Sequence, residues 1–220
     1  MSESKINNDK YNPYISEIVN SDNVNILIDK LIILLIKVQD EGNDFNETKY
    51  FINNCITLSS QSIDDVLNWL KENQKELKYI FLLGFFYHNK FSLEEYNSEG
   101  FIFFLKAAEE SYPIAQVYLS MCYNKGFGTE ISNNLAFNWI QKAAENESII
   151  GQNILGCYYK DGIGTDKDLK KAFHWYQKAA ENNNVVAQYN LALTYKNGEG
   201  TEKNLEKALS KSLSVPTPSL

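Results

Sequence analysis

The 220-residue sequence contains no arginine, two histidines, four prolines and three cysteines, and each scarcity removes a class of function. Phosphate and base-edge recognition favours the planar guanidinium, and duplex binding needs a basic face whose counterion release drives affinity. Here all 21 basic residues are lysine, 28 residues are acidic and the net charge is −7. Nucleic acid is therefore excluded as an expected partner. The three cysteines, Cys55, Cys122 and Cys157, form no C-x-x-C pair and are odd in number, so neither a zinc ribbon nor a disulfide framework is expected. Long hydrophobic runs are also missing. The most apolar window, Val24 to Val38, is interrupted by Asp29, Lys30 and Lys37, short of the roughly 18 to 20 apolar residues a bilayer span requires. The first residues, MSESKINNDKYNPY, are polar where a secretory signal needs an apolar core. No membrane partner and a cytoplasmic location are the expectations.

What the sequence does have is a period. Ala107-Ala108, Ala143-Ala144 and Ala179-Ala180 are separated by 36 residues, as are Gly126, Gly162 and Gly198, Tyr123, Tyr159 and Tyr195, and Leu119, Leu155 and Leu191. Trp139 and Trp175 keep the same step. One further step back falls on Leu83, Tyr87, Phe103, Lys106 and Ala107-Ala108, with Lys90 and Ser92 in place of the loop glycines. The units are expected over 76–111 (degenerate), 112–147, 148–183 and 184–211 (truncated).

Within a unit, Ala115, Leu119, Cys122 and Tyr123 lie on one side of a helix, and Ala136, Phe137, Ile140 and Ala144 on one side of a second. Between them a G-x-G-T loop recurs as KGFGTE, KDGIGT and KNGEGT, followed in register by Ser132, Asp168 and Asn204. Short polar side chains there accept from the free N–H groups that open a helix. A unit of helix, loop and helix cannot bury its aromatic and alanine side by itself. The expected fold is therefore all-α: an α/α superhelix, a right-handed solenoid of stacked helix-loop-helix repeats.

The pattern L-G-x-x-Y-x-x-G-x-G-T-x-x-D-x-x-K-A-x-x-W-x-x-K-A-A, as Leu155 to Ala180 show it, resembles the Sel-one-like repeat (SLR), a variant of the tetratricopeptide repeat with a longer loop. The resemblance covers about Glu76 to Ala208. It implies a superhelix that binds other proteins and assembles complexes, without catalysis of its own, in roles that extend to signal transduction. Some similar arrays are fused to kinase domains, but DFN at Asp44 to Asn46 is not D-F-G and no catalytic loop accompanies it. The paired cysteines of cysteine-rich bacterial relatives are missing.

Around the repeats, a mobile segment is expected over 1–13 and a helical region that caps the array over 14–75. Its helices are expected near Tyr14 to Val19, Asn23 to Asp40 and Glu47 to Ile56, and from Ser62, which suits an N-cap. At the other end Lys211 replaces the tryptophan, and Pro216 and Pro218 stop any helix. A stunted second helix and a mobile tail over 212–220 follow.

The loops invite a ligand reading that their chemistry does not sustain. They lack the order G-x-x-x-x-G-K-[ST] of a phosphate loop, and DGIGTDKD lacks the alternating ligands and twelfth-position glutamate of a calcium loop. The glycines are expected to end helices in a left-handed conformation and to turn the chain toward the cap. Cys55, Cys122, Cys157, His88 and His174 could supply a nucleophile and base, but a packed thiol is the ordinary role. No catalytic residue, metal or cofactor is expected.

Function is expected instead on the concave side, which the first helices line in tetratricopeptide-like solenoids. The stripe not needed for stacking is Val117, Met121 and Asn124, then Asn153, Cys157 and Lys160, then Tyr189, Leu193 and Lys196. These members differ from unit to unit, as a groove reading a non-repetitive protein partner requires. A small-molecule binder or weak hydrolase, and a truncated fragment of a larger repeat or kinase-linked protein, stay open as alternatives.

Overall fold

The computed structural model describes Ile18 and residues 23–42, 45–89 and 97–213, and among these described residues three full helices precede the repeats. They are α1 (Val24–Asp40), α2 (Phe45–Leu58) and α3 (Ile63–Glu72). Eight more follow as consecutive pairs: α4 (Leu77–His88) with α5 (Asn97–Glu109), α6 (Pro113–Lys125) with α7 (Asn133–Glu145), α8 (Ile149–Asp161) with α9 (Leu169–Glu181), and α10 (Val185–Asn197) with α11 (Leu205–Leu213). The 1–13 segment, most of the Tyr14 to Val19 helix, positions Lys90 and Ser92, and the tail beyond 213 lie outside the described residues. The whole is an all-α stack of the SLR type.

Local chemistry fixes each helix end. Gly126, Gly162 and Gly198 are left-handed at φ 73°, 73° and 75° and close α6, α8 and α10, donating to the carbonyls of Cys122, Tyr158 and Thr194 at 2.8, 2.8 and 2.9 Å. Each loop is then pinned at its far end. The N–H groups of Ser132, Asp168 and Asn204 donate to the carbonyls of Tyr123, Tyr159 and Tyr195 at 2.8, 2.8 and 2.9 Å. Their side chains accept from the N–H groups of Leu135, Lys171 and Lys207 at 3.4, 3.0 and 2.9 Å, satisfying donors that a helix start leaves open. At α3, Ser62 and Asp65 exchange hydrogen bonds in a capping box, and those bonds hold the Asp65 carboxyl below the usual carboxylate range.

Between units three further contacts recur at the 36-residue step. Gln116, Gln152 and Gln188 donate through Nε2 to the carbonyls of Ala108, Ala144 and Ala180 at 3.2, 3.5 and 3.4 Å, clasping the end of one second helix to the next first helix. Phe101, Phe137 and Phe173 meet Tyr123, Tyr159 and Tyr195 edge to face at 5.5, 5.3 and 5.3 Å, a favourable aromatic geometry. The second loop glycine has a use beyond turning. A β-carbon on Gly164 would lie 2.0 Å from the Asn133 carbonyl oxygen, and one on Gly200 would lie 1.9 Å from that of Leu169. The second and third loops are thus seated on the first turn of the preceding unit's second helix.

The short connections from second to first helices carry strain. Ser111, Glu147 and Asn183 have φ of 66°, 64° and 64°, and of these three only asparagine tolerates the left-handed region readily. Glu147→Asn is expected to raise stability by about 0.5–1 kcal/mol, read as a higher midpoint of urea unfolding with unchanged slope.

The long apolar helix α1 does more than cover the first repeat. Near its start, Asp29 Oδ1 accepts from Tyr79 Oη at 3.0 Å and pairs with Lys78 Nζ at 2.8 Å, at the first turn of α4. Ile36 faces a hollow shared with Tyr112, Pro113 and Ile114, where α6 begins. The Asp40 carboxyl accepts from the Ile150 N–H in the first turn of α8, and the Asp40 carbonyl accepts from Asn184 Nδ2, the cap of α10, at 2.7 Å. A β-carbon on Gly42 would meet Val186 Cγ2 at 2.7 Å. The helix is therefore a strap across the opening turns of all four first helices. Along it Leu27, Ile28, Leu31, Leu34, Leu35 and Val38 are all buried, and α1 packs on α2 and α3 as well as on α8.

Candidate functional site

Among the first helices, α6 touches α8 directly, and the stripe expected to line the concave side runs along this row of helices. The strap covers that side unequally. Around α6 it leaves little open: Ile114 to Ser120 are all buried, and Gln39 Nε2 of α1 donates to the Tyr118 hydroxyl. At α10 the cover ends, and Tyr189 is 55% exposed.

The nine stripe residues follow this gradient. Val117 is fully buried, while Met121 and Asn124 are half-buried, with Asn124 Nδ2 donating to Asn133 Oδ1 at 3.3 Å. Asn153 is 7% exposed and its Oδ1 accepts from Asn190 Nδ2 at 3.1 Å. Cys157 is half-buried and its sulfur accepts from the Tyr176 hydroxyl at 3.4 Å. Lys160 and Leu193 are half-buried, and Tyr189 and Lys196 are exposed. The α6 and α8 members thus show the same pattern, one buried and two half-buried, and the exposed members of the stripe, Tyr189 and Lys196, are both on α10.

Sequence reasoning missed Asn190, Asn184 and Asp40, which tie units together or tie them to the strap. Asn190 sits on the helix face beside Tyr189, and Asn184 occupies the cap position where Ser148 stands one unit earlier. At the strap's end an open apolar hollow of about 450 Å3 is lined by Ile33, Ile36, Lys37, Asp40, Glu41, Asn182 and Asn183. Ile33, 67% exposed, is its outermost apolar side chain.

The thiols and His88 are placed for packing. Burial pushes Cys55 and Cys122 up to about 12, so neither supplies a thiolate near neutral pH, and burial raises Cys157 as well. The His88 ring packs against Phe104, Tyr118 and Phe127. Burial, and secondarily the charge of Lys49, keeps it below the usual imidazole range. His174 is exposed beside Trp175. Among the described residues, no three His, Cys, Asp or Glu side chains converge as a metal cluster would, and no helix is long and apolar enough to cross a membrane.

Comparison with known proteins bears on the repeats. Residues 80–112, 113–148, 149–184 and 185–210 each match the Sel1 repeat. A solved Sel1 repeat protein from Oxalobacter formigenes is similar at 29% identity and a TM-score of 0.63, over 69% of this chain and 63% of that one. The protein c5321, a protective antigen of uropathogenic Escherichia coli strains displaying an SLR fold, is similar at 26% identity and a TM-score of 0.68, over 83% of this chain and 40% of its own. This chain thus spans less than two thirds of either relative's length. Among curated proteins nothing matches. With the glycine caps, the alanine pairs and the glutamine clasps recurring in the segments so matched, the chain belongs to the Sel1 repeat family.

Proposed function

We propose that this protein is a non-catalytic scaffold that binds an extended segment of another cytoplasmic protein on the α8 and α10 part of its inner face, and so assembles it with further partners. The observation that supports the reading is the exposure gradient along the stripe, from a buried Val117 to a Tyr189 that is 55% exposed. Large apolar side chains held on a rigid helix lose little entropy on binding, which is why aromatic anchors carry much of the affinity at interfaces. Tyr189 and Leu193 stand four residues apart on one helix, spaced to receive successive anchors of a bound segment, with Lys160 and Lys196 at the rim. Met121 extends the contact toward α6. The Sel1 repeat itself favours a protein partner, because such repeats typically mediate protein interactions.

The test begins with affinity capture from native cytosol, followed by calorimetry with the captured partner's binding segment. Tyr189→Ala with Leu193→Ala is expected to weaken binding at least tenfold, about 1.4 kcal/mol or more, while the circular dichroism spectrum stays unchanged. Undiminished affinity in the folded double variant would remove α10 from the binding face.

A further inference from the structure

Asp40 is placed where a carboxylate is poorly served. It is the last residue of α1, next to the carbonyl end of that helix, where negative charge is disfavoured. Ile36, Ile114 and Ile149 line the hollow on one side of it, and Ile33 and Ile36 line the hollow on the other. The hydrogen bond that the described residues give its carboxyl is one N–H, from Ile150 at 3.4 Å. Its own carbonyl, by contrast, is held at 2.7 Å by the fully buried Asn184. The side chain that would most profit from water therefore sits on the joint between the strap and the first turns of α8 and α10.

We propose that Asp40 makes the end of α1 a proton-operated latch: protonated, it closes α1 on the first turns of α8 and α10, and ionised, it lifts the last turns of α1 and uncovers that end of the inner face. A neutral carboxyl fits the apolar hollows and can itself donate a hydrogen bond. An ionised one gains hydration by moving outward, and the movement breaks the Ile150 contact first.

Burial acts in the same direction. It raises the Asp40 carboxyl to about 6, against the opposing pull of the Ile150 N–H. The closed arrangement therefore holds the proton more tightly than an open one, in which the group returns toward its ordinary 3.8. Closure is favoured in full below that ordinary value and loses the advantage as pH rises through about 6. Among the described residues, the charged and titratable groups facing Asp40 are few. Lys37 and Glu41 come from α1, Glu147 from the connection before α8, and Tyr112 from the start of α6. The connection before α10 presents the neutral Asn182, Asn183 and Asn184, and α8 presents Ile149 and Ile150. Of the carboxyls here, Asp40 is the one that burial raises, and the window is set by it.

Hydrogen exchange on the full chain, corrected for the intrinsic pH dependence of amide exchange, reads the latch directly. Protection of the last two turns of α1 and of the Ile150 amide is expected to rise about tenfold between pH 7.5 and pH 5. Asp40→Asn should show the closed protection at every pH, and Glu41→Gln and Glu147→Gln should keep the wild-type dependence. A wild type whose protection does not change, or an Asp40→Asn protein that still responds to pH, overturns the latch. So does a carboxyl carbon titration of Asp40 in the unaltered protein with a midpoint below 4.5, a measurement that requires no variant to fold.

Discussion

Alanine at Gly164 is expected to destabilise the protein by about 2–5 kcal/mol, whereas alanine at Gly162, in the same loop, should lose only about 1–2 kcal/mol. Both glycines have positive φ, 66° and 73°, so both substitutions incur the left-handed penalty of an L-residue. Their surroundings separate them. At Gly162 the nearest foreign atom to an added β-carbon is the Thr165 carbonyl oxygen at 3.4 Å, an ordinary contact. At Gly164 the nearest is the Asn133 carbonyl oxygen at 2.0 Å, with Phe137 Cβ at 2.9 Å. Helix backbone cannot swing aside as a flexible side chain can, so α7 or the whole loop must shift. The comparison is made by urea unfolding of the two variants. Equal losses would mean that the second glycine is only a turn residue, and that the seating of one unit on the previous one is not what holds it there.

Tyr118→Ala is expected to destabilise by about 3–5 kcal/mol and to loosen α1 as it does so. The ring is 1% exposed and meets Phe81, Phe85 and Phe104 with centroids 5.3, 5.9 and 5.0 Å away, joining the first and second units. Its hydroxyl accepts from Gln39 of the strap, and burial keeps the phenol neutral far above its usual range. Tyr118→Phe separates the two roles, because the ring stays and only the hydroxyl, with the bond it accepts from Gln39, is lost. Gln39, fully buried with its Oε1 already without a partner among the described residues, would then hold an unsatisfied donor, at a loss of about 1–3 kcal/mol. Thermal unfolding measures both variants, and hydrogen exchange in 24–42 reports the strap. A phenylalanine variant as stable as wild type would show that Gln39 finds its partner elsewhere.

The parts of this fold that were legible in the sequence are the parts with local causes. Gly126, Gly162 and Gly198, and the caps Ser132, Asp168 and Asn204, depend on conformations within a few residues, and a 36-residue period repeats them in register. The glutamines at 116, 152 and 188 share that period, yet their role needs the carbonyl of a helix eight residues earlier to arrive beside them. Gly164 and Gly200 are harder still, since their constraint comes from the preceding unit. The stripe could be named from the sequence as a set of equivalent positions, because the 36-residue period places them in register. Its exposure could not, because Val117 and Tyr189 hold related faces of their helices and differ through the course of α1. That helix is not repeated, so no period reveals which units it crosses.

The course of α1 has a metric consequence. Its 17 residues at about 1.5 Å per residue give a rod of roughly 26 Å. Neighbouring helices pack about 8–10 Å apart, so four side by side span three intervals, or roughly 24–30 Å. Asp29, Ile36 and Asp40 meet α4, α6 and α8 in turn along that rod, and Gly42, two residues past its end, meets α10. One unrepeated element is thereby tied to all four repeated units, so a change in the length of α1 would be felt by the array as a whole and not by one repeat.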